Sequence, residues 1–304
     1  MTPSVRSVTA ALVLAGSPAA LGSTGDLVDL VPADTYQVVH SFSDASCAVI
    51  ERYNTEMVNA IVDAGFDEWA LQTLVAIEGS GANREDLEAV RGVVRSLLSE
   101  VPWRDFIANE YVYAESALPF AVGLPVDLPS YMFMSRPAPG RLEGLERSVT
   151  DLLETVSKIA RDDIRFHKRD AERPHLYALS IPDAGNISVL QLAFTEDTII
   201  VGAGAEYFER AVLLAAGGEG RRLTAQPAWD QAFAGLPTGG TTRTYIDTRS
   251  MMSGLHGIFA MLARREHDAQ TWQSLVNDAF DLVDFVDTVA TTLHVDGTDV
   301  ITET

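Results

Sequence analysis

Cysteine, lysine and long apolar runs are all scarce in this chain of 304 residues. Cys47 is the single cysteine, so no disulfide can form within the chain and the hydrophobic core must hold the fold by itself. We interpret Cys47 as a small buried side chain at the start of a helix. A reactive thiol and a bridge between two chains are the alternatives.

Lysine occurs at Lys158 and Lys168 alone, while the chain has 22 basic and 43 acidic residues in all. The formal net charge is therefore −21 at pH 7. A surface this acidic repels nucleic acid and anionic lipid, so we expect no nucleic-acid partner. It would attract a cation or a basic partner, but an acid-rich surface also serves solubility in saline surroundings.

Long apolar segments are missing after residue 22. The longest candidate, residues 254–263, has about half of the roughly 20 apolar residues that a membrane-spanning helix needs, and it contains His256. We therefore predict no transmembrane segment after the N-terminal region. Hydrophobic residues make up 47% of the chain and charged residues 21%, which is typical of a globular protein.

The first 22 residues have the pattern of a secretory signal. Arg6 supplies a small positive region, residues 8–16 an apolar region, and residues 20–22 a small-x-small cleavage site. No cysteine lies near this site, which argues against a lipoprotein. We expect a protein exported to the periplasm or the extracellular space, with a retained apolar helix as the alternative.

Apolar spacing predicts helices, and runs of β-branched and aromatic residues predict strands. Helices are expected at residues 48–64, 67–78, 83–98, 102–117, 142–159, 206–216, 253–264 and 272–289. Strands are expected at residues 36–42, 132–135, 164–168, 176–181, 188–194, 198–202, 242–247, 291–295 and 299–302. The brief links between the four strands from residue 164 to residue 202 indicate an antiparallel meander. Asp296-Gly297 indicates a hairpin turn.

These elements predict an α+β fold in which antiparallel sheets pack against long amphipathic helices. A faint internal similarity accompanies them, because Trp103 and Trp229 each open a predicted helix that leads through a Leu-Pro pair to a strand. The similarity favours two related α+β halves, residues 23–170 and 171–304, after the signal at residues 1–22. Chance similarity is the alternative.

Several short motifs occur in a family-like order along most of the chain after the signal. They are residues 30–35 (LVPADT), Pro102-Trp103 with Glu110, residues 198–202 directly before a helix, Trp229, Leu236-Pro237 and Tyr245-Ile246-Asp247. Together they resemble an uncharacterised bacterial family, domain of unknown function 3352. The resemblance implies an exported or envelope protein, and it leads us to expect further sheet after Thr304. It implies no chemistry, since the family has no assigned activity or catalytic residues.

A glycine pair at Gly202 and Gly204 follows a predicted strand and precedes a predicted helix, as in a dinucleotide-binding turn. The third glycine of that fingerprint is replaced by Tyr207, and no acidic residue follows at the required distance. We interpret the pair as a tight turn into a helix. No G-x-S-x-G elbow occurs, and the six histidines show no zinc-ligand spacing.

Acidic and basic clusters are interpreted as solvated surface. Asp278, Asp281, Asp284 and Asp287 share one side of a predicted helix, with a bound divalent cation as the alternative. Glu110 and Glu115 are interpreted as exposed helical acids, with a paired-carboxylate glycosidase site as the alternative. A basic run interleaved with acids indicates a salt-bridged surface. Its members are Arg161, Arg165, Lys168, Arg169 and Arg173.

No motif identifies a catalytic, cofactor-binding or metal-binding residue, and no cofactor is predicted. The sequence therefore favours a non-enzymatic module of the bacterial envelope that binds an unidentified ligand or protein partner. One alternative is a hydrolase whose site assembles only in three dimensions, with a histidine beside a carboxylate and a hydroxyl. The other is a structural subunit of an envelope assembly.

Overall fold

A computed structural model describes residues 26–42, 103–106, 109–120, 129–160, 164–169, 173–182, 187–237, 241–252, 286–296 and 299–304. Several predictions fall outside these ranges and are not tested by the structure. They are the signal at residues 1–22, Cys47, the three helices between residues 48 and 98, the helix at 253–264, and most of the helix at 272–289.

Ten strands join into one antiparallel sheet in the described part of the chain. The strands are β1 Thr35–Phe42, β2 Glu110–Pro119, β3 Pro129–Arg136, β4 Arg165–Arg169, β5 His175–Ile181, β6 Ile187–Phe194, β7 Ile199–Ala203, β8 Thr242–Asp247, β9 Thr288–Asp296 and β10 Asp299–Glu303. Their order across the sheet is β10-β9-β8-β1-β2-β3-β7-β6-β5-β4.

Four helices and two 3-10 turns with both ends described accompany the sheet, and residues 248–252 are also helical. The helices are α1 Trp103–Phe106, α2 Leu142–Ala160, α3 Ala205–Ala215 and α4 Pro227–Phe233. The 3-10 turns are η1 Leu27–Leu30 and η2 Leu223–Ala225. No helix among these residues is long and apolar enough to cross a membrane.

The predicted fold class is wrong. One large ten-stranded sheet with few and mostly short helices replaces the expected sheets packed against long amphipathic helices. The reason is that strand pairing is non-local: β1 pairs with β8, about 200 residues away, as well as with β2. Local periodicity carries no information on such pairing. The division at residues 170/171 stays a prediction.

The largest local error is the predicted helix at residues 102–117. The helix ends at Phe106, and β2 begins at Glu110. Buried and partly exposed residues alternate from Glu110 to Ser116, which is the period of two that belongs to a strand with one face against the core. Pairing on both sides, with β1 and with β3, fixes this stretch as a strand.

The other described elements confirm their predictions to within a few residues. They are the strands β1 and β3 to β8, the β9–β10 pair, the long helix α2 and the helix α3. The consecutive antiparallel pairing of β4, β5, β6 and β7 confirms the meander. The predicted helix at 272–289 is wrong at its end, because β9 begins at Thr288.

The two faces of the sheet are covered by different elements. The first face carries Val38, Val112 and Met134, which share a buried cluster with residues of η1, α3, η2 and α4. The second face carries Tyr177 and Leu192, which pack against α2. Each fully buried side chain of this size contributes about 1.5–3 kcal/mol to folding, so both layers are needed to hold the sheet.

One row of directly opposed residues crosses all ten strands on the first face. From β4 to β10 it consists of Arg169, Leu176, Ala193, Ile200, Met134, Val112, His40, Arg243, Thr292 and Glu303. The row is apolar from Leu176 to Val112, polar from His40 to Thr292, and ends in a basic residue at the β4 edge and an acidic residue at the β10 edge. A residue of the β4 edge and a residue of the β10 edge therefore belong to one row and lie on the same face of the sheet.

Candidate functional site

The turn at Gly202 and Gly204 is explained by packing. Gly204 has a φ of +106°, and a Cβ atom there would lie 1.9 Å from Ser130 Oγ. A Cβ atom at Gly202 would lie 3.1 Å from both the Phe208 ring and the Tyr131 carbonyl oxygen. Both glycines are needed where β7, β3 and α3 approach closely, as expected for a tight turn into a helix.

Glu110 is the centre of a buried polar network on the first face. Its Oε1 accepts a hydrogen bond from the Leu27 amide at 2.5 Å and lies 2.8 Å from His40 Nε2. Its Oε2 accepts a hydrogen bond from Arg136 Nη1, and Arg136 Nε lies 3.4 Å from Asp197 Oδ2. The network connects η1 to the strands β1, β2 and β3.

The charge of Glu110 is stabilised within this network. Burial by itself raises the pKa of the Glu110 carboxyl. The hydrogen bonds from His40 and Leu27, together with the charge of Arg136, outweigh burial and hold that pKa below its usual value. Glu110 therefore stays ionised at neutral pH and acts as a structural anchor. His40 is fully buried, and its Nδ1 has no hydrogen-bond partner within the described ranges.

Glu115 lies on the opposite face of the sheet from Glu110, so the two do not form a paired-carboxylate site. The prediction of exposed helical acids is wrong for both, because they lie in β2 and neither is exposed. Tyr36 donates a hydrogen bond to Glu115 Oε2 at 2.6 Å, and Tyr113 donates one to Oε1. Burial, and next the bond to this carboxylate, raise the pKa of Tyr36 and Tyr113, so both remain donors.

A third cluster brings a histidine, a carboxylate and a phenol together beside α2. Glu146 Oε1 lies 2.7 Å from His175 Nδ1 and accepts a hydrogen bond of 2.7 Å from Tyr177. The His175 side chain is 30% exposed. A separate pair joins His167 Nε2 to Ser180 Oγ at 2.7 Å, but Ser180 is almost fully buried.

An open recess of about 500 Å³ lies between α4 and the start of β9. Its lining is half apolar and half polar, and consists of Ala228, Gln231, Ala232, Val286, Asp287 and Thr288. Asp287 Oδ1 accepts a hydrogen bond from Arg249 at 2.5 Å. Asp278, Asp281 and Asp284 lie outside the described residues, and within them no cluster of three metal-ligating side chains occurs.

The outer edge of β4 is basic and exposed. Four of its five side chains are exposed, and all four are basic: Arg165, His167, Lys168 and Arg169. Phe166 is the partly buried fifth, and it stacks on Tyr177 with ring centroids 6.1 Å apart. Lys168 Nζ lies 5.9 Å from the centre of the same Tyr177 ring.

The strand β4 pairs with β5 alone in the described part of the sheet, so its other edge presents main-chain hydrogen-bonding groups outward. Neither Arg165 nor Arg169 forms an ion pair with another described residue. The acids that interleave with this run in the sequence lie outside β4 and outside the described ranges. The interpretation of this run as a salt-bridged surface therefore stays a prediction, and the described part of the run is a basic strand edge.

The sequence indicated the residues of this edge but not their arrangement. The basic run was visible in the sequence. Only the strand order in the structure shows that its central part lies at the end of a sheet. The buried partners of Glu110 were not visible, because His40 and Glu110 are 70 residues apart and carry no motif.

No family model matches this chain, and no curated protein matches it. The resemblance to domain of unknown function 3352 therefore stays a prediction.

Proposed function

We propose that this protein is an exported, non-enzymatic module of the bacterial envelope that binds an acidic, extended segment of a protein partner along the outer edge of β4. The observation that carries the proposal is the exposed basic edge Arg165–Arg169 on a chain of net charge −21. Export is supported by the signal pattern of the first 22 residues.

Strand addition is the binding mode that this edge favours. An extended segment placed beside β4 would satisfy its outward main-chain groups, and side chains alternating along the segment would provide selectivity. Arg165, His167 and Arg169 lie at alternate positions and therefore on one face of the sheet. Acidic side chains at alternate positions of the partner would lie directly opposite them.

The acidity of the rest of the surface favours binding of an acidic segment at β4 over binding elsewhere. A chain with 43 acidic and 22 basic residues repels an acidic segment over most of its surface. At about 0.15 M salt, screening limits this repulsion to roughly 8 Å, so contacts at the edge itself decide binding. The basic edge is then the place where an acidic segment is both attracted and hydrogen-bonded.

Binding of a labelled peptide that alternates glutamate with valine tests the proposal. We expect fluorescence anisotropy to show saturable binding, which the double variant Arg165→Glu/Arg169→Glu weakens by about tenfold or more. The reason is that two favourable cross-strand charge pairs become two repulsive ones, each change amounting to roughly 1 kcal/mol. A peptide that alternates lysine with valine should not bind.

Arg147→Glu is the matched control, because Arg147 is exposed on α2 and the substitution changes the charge by the same amount per site. It should leave the affinity for the acidic peptide within about twofold. Equal binding of the acidic and basic peptides, or equal loss of affinity in the Arg147 and Arg165 variants, would overturn the proposal.

The pair Glu146–His175 favours a second candidate, a hydrolase. A carboxylate at 2.7 Å from Nδ1 can orient a histidine as a general base through its other nitrogen. Tyr177 donates to the same Glu146 oxygen, so it is not the hydroxyl that such a base would activate. Among the described residues, no hydroxyl is hydrogen-bonded to His175.

A screen with activated esters and aminoacyl anilides tests this second candidate. If the protein is non-enzymatic, as we propose, the wild type and a His175→Ala variant should hydrolyse them at the same rate as buffer with an equal amount of unrelated protein. Hydrolysis by the wild type that His175→Ala reduces a hundredfold or more would establish the hydrolase instead.

A further inference from the structure

The two outer edges of the described sheet carry opposite charge. The edge at β4 is basic, whereas β10 runs from Asp299 to Glu303 in an acidic sequence, with Glu303 exposed. Within the described residues β10 pairs with β9 alone. Both edge strands are five residues long.

The two edge strands also have opposite polarity within the sheet. All nine neighbouring pairs in the ten-stranded sheet are antiparallel, so polarity alternates from strand to strand and differs between the first and the tenth. A second copy that continues the twisted sheet beyond β4 would place its β10 next to β4. That new pair would be antiparallel, like every other pair in the sheet.

The sheet faces and the main-chain hydrogen-bonding pattern of the two edges are also compatible with pairing between copies. Arg169 and Glu303 belong to one row of opposed residues, so both lie on the first face. Hydrogen-bonded and non-hydrogen-bonded pairs alternate along such a row. Nine residue pairs lie along the row between the two edges, so the first and the ninth pair are of the same kind. A tenth pair, formed between β4 of one copy and β10 of the next, would be of the other kind and would continue the alternation.

We propose that the acidic segment bound by β4 is the β10 edge of a second copy of this chain, which joins the sheets head to tail. The inference rests on the proposed function of β4 as a binding edge. The register that overlaps all five residues places Arg165 opposite Glu303 and Arg169 opposite the position of Asp299. Opposite charges at both ends favour this register over a shift by two residues.

Such a contact uses two different surfaces, and an open assembly retains one unused β4 edge at one end and one unused β10 edge at the other until a ring closes. Heterologous contacts of this type produce closed rings or open chains rather than a two-fold dimer. Rings and open chains are the assemblies expected of a structural subunit. A protein that binds a second copy of itself through β4 would therefore be both a binding module and the structural subunit of an envelope assembly.

Sedimentation velocity at about 0.15 M salt over a wide range of protein concentration tests the inference on the full chain. We expect the wild-type mass to rise beyond that of a dimer, either continuously or to the plateau of a ring. Arg165→Glu and Glu303→Arg should each weaken association by roughly three- to thirtyfold. The double variant Arg165→Glu/Glu303→Arg should restore it, because the pair is recreated with reversed charges.

An equimolar mixture of the two single variants offers a second measurement that does not depend on the double variant folding. Each junction in the mixture can pair unlike charges, so the mixture should associate more strongly than either variant alone. Arg147→Glu should associate like the wild type. Circular dichroism verifies that each variant has the wild-type strand content.

The failure of this inference is distinguishable from failure of the proposed function. A wild type that stays monomeric at all concentrations but binds the glutamate–valine peptide overturns the second-copy partner alone. A wild type that neither associates nor binds the peptide overturns both, and the charges of β4 then serve to keep its edge unpaired. A dimer that neither charge reversal weakens also overturns the head-to-tail contact.

Discussion

Replacing Glu110 by alanine is expected to lower the free energy of unfolding by about 3–5 kcal/mol. The substitution leaves the guanidinium of Arg136, the ring of His40 and the amide of Leu27 without the carboxylate that they share. Removing one member of a buried ionic network costs this much because the remaining groups stay desolvated. Urea unfolding followed by tryptophan fluorescence measures the change.

Glu209→Ala is the matched control for this substitution. Glu209 is an exposed residue of α3, so its loss should change stability by no more than about 0.5 kcal/mol. Equal effects of the two substitutions would contradict the structural role assigned to Glu110.

The contribution of Glu110 also depends on pH with a definite sign. The pKa of its carboxyl in the folded protein lies below the usual value of a glutamate, about 4.3, so the stabilisation is fully present above that value. It is lost as pH falls below the usual glutamate pKa and through the lowered pKa of Glu110. The stability difference between the wild type and Glu110→Gln should therefore be largest near pH 7 and shrink on acidification. A difference that grows on acidification would contradict the assignment.

Replacing Gly204 by alanine is expected to destabilise the protein by about 2–5 kcal/mol. The left-handed backbone at φ +106° costs an L-residue roughly 1–2 kcal/mol, and overpacking adds roughly 1–3 kcal/mol. The overpacking is caused by the new Cβ atom, which would lie 1.9 Å from Ser130 Oγ and 2.5 Å from Ser130 Cβ. Thermal and urea unfolding measure the loss.

Two further variants separate these two causes. Ser130→Gly in the Gly204→Ala background removes the clashing atoms and should recover part of the loss, but it leaves the backbone strain. Gly144→Ala, in the first turn of α2 with no atom within 4 Å of the new Cβ, should raise stability by up to about 1 kcal/mol. Destabilisation by Gly144→Ala equal to that by Gly204→Ala would show that neither packing nor φ explains the glycine turn.

The elements that the sequence predicted correctly are those with a strong local signal. The helix α2 has apolar residues at intervals of three and four, and its buried positions Leu145, Val149 and Leu153 follow that spacing. The meander from β4 to β7 was predictable because its links are short and its strands are rich in β-branched and aromatic residues.

The failures have a common physical cause, which is long-range pairing. Residues 110–117 contain alanine and glutamate, which are compatible with a helix, and the neighbouring strands β1 and β3 decide that this stretch is a strand. Long-range strand pairing also determines the candidate site. Arg165 and Glu303 have significance as edge residues only once the order of all ten strands is known.

Hydrogen–deuterium exchange of the full chain with and without the glutamate–valine peptide tests the central claim most directly. A segment that adds to the sheet must hydrogen-bond the outward amides of β4, so exchange within Arg165–Arg169 should slow severalfold or more. Exchange in the middle of α2 should not change. Protection of β4 on peptide addition is the result we predict, and unchanged exchange of β4 at a saturating peptide concentration would contradict it.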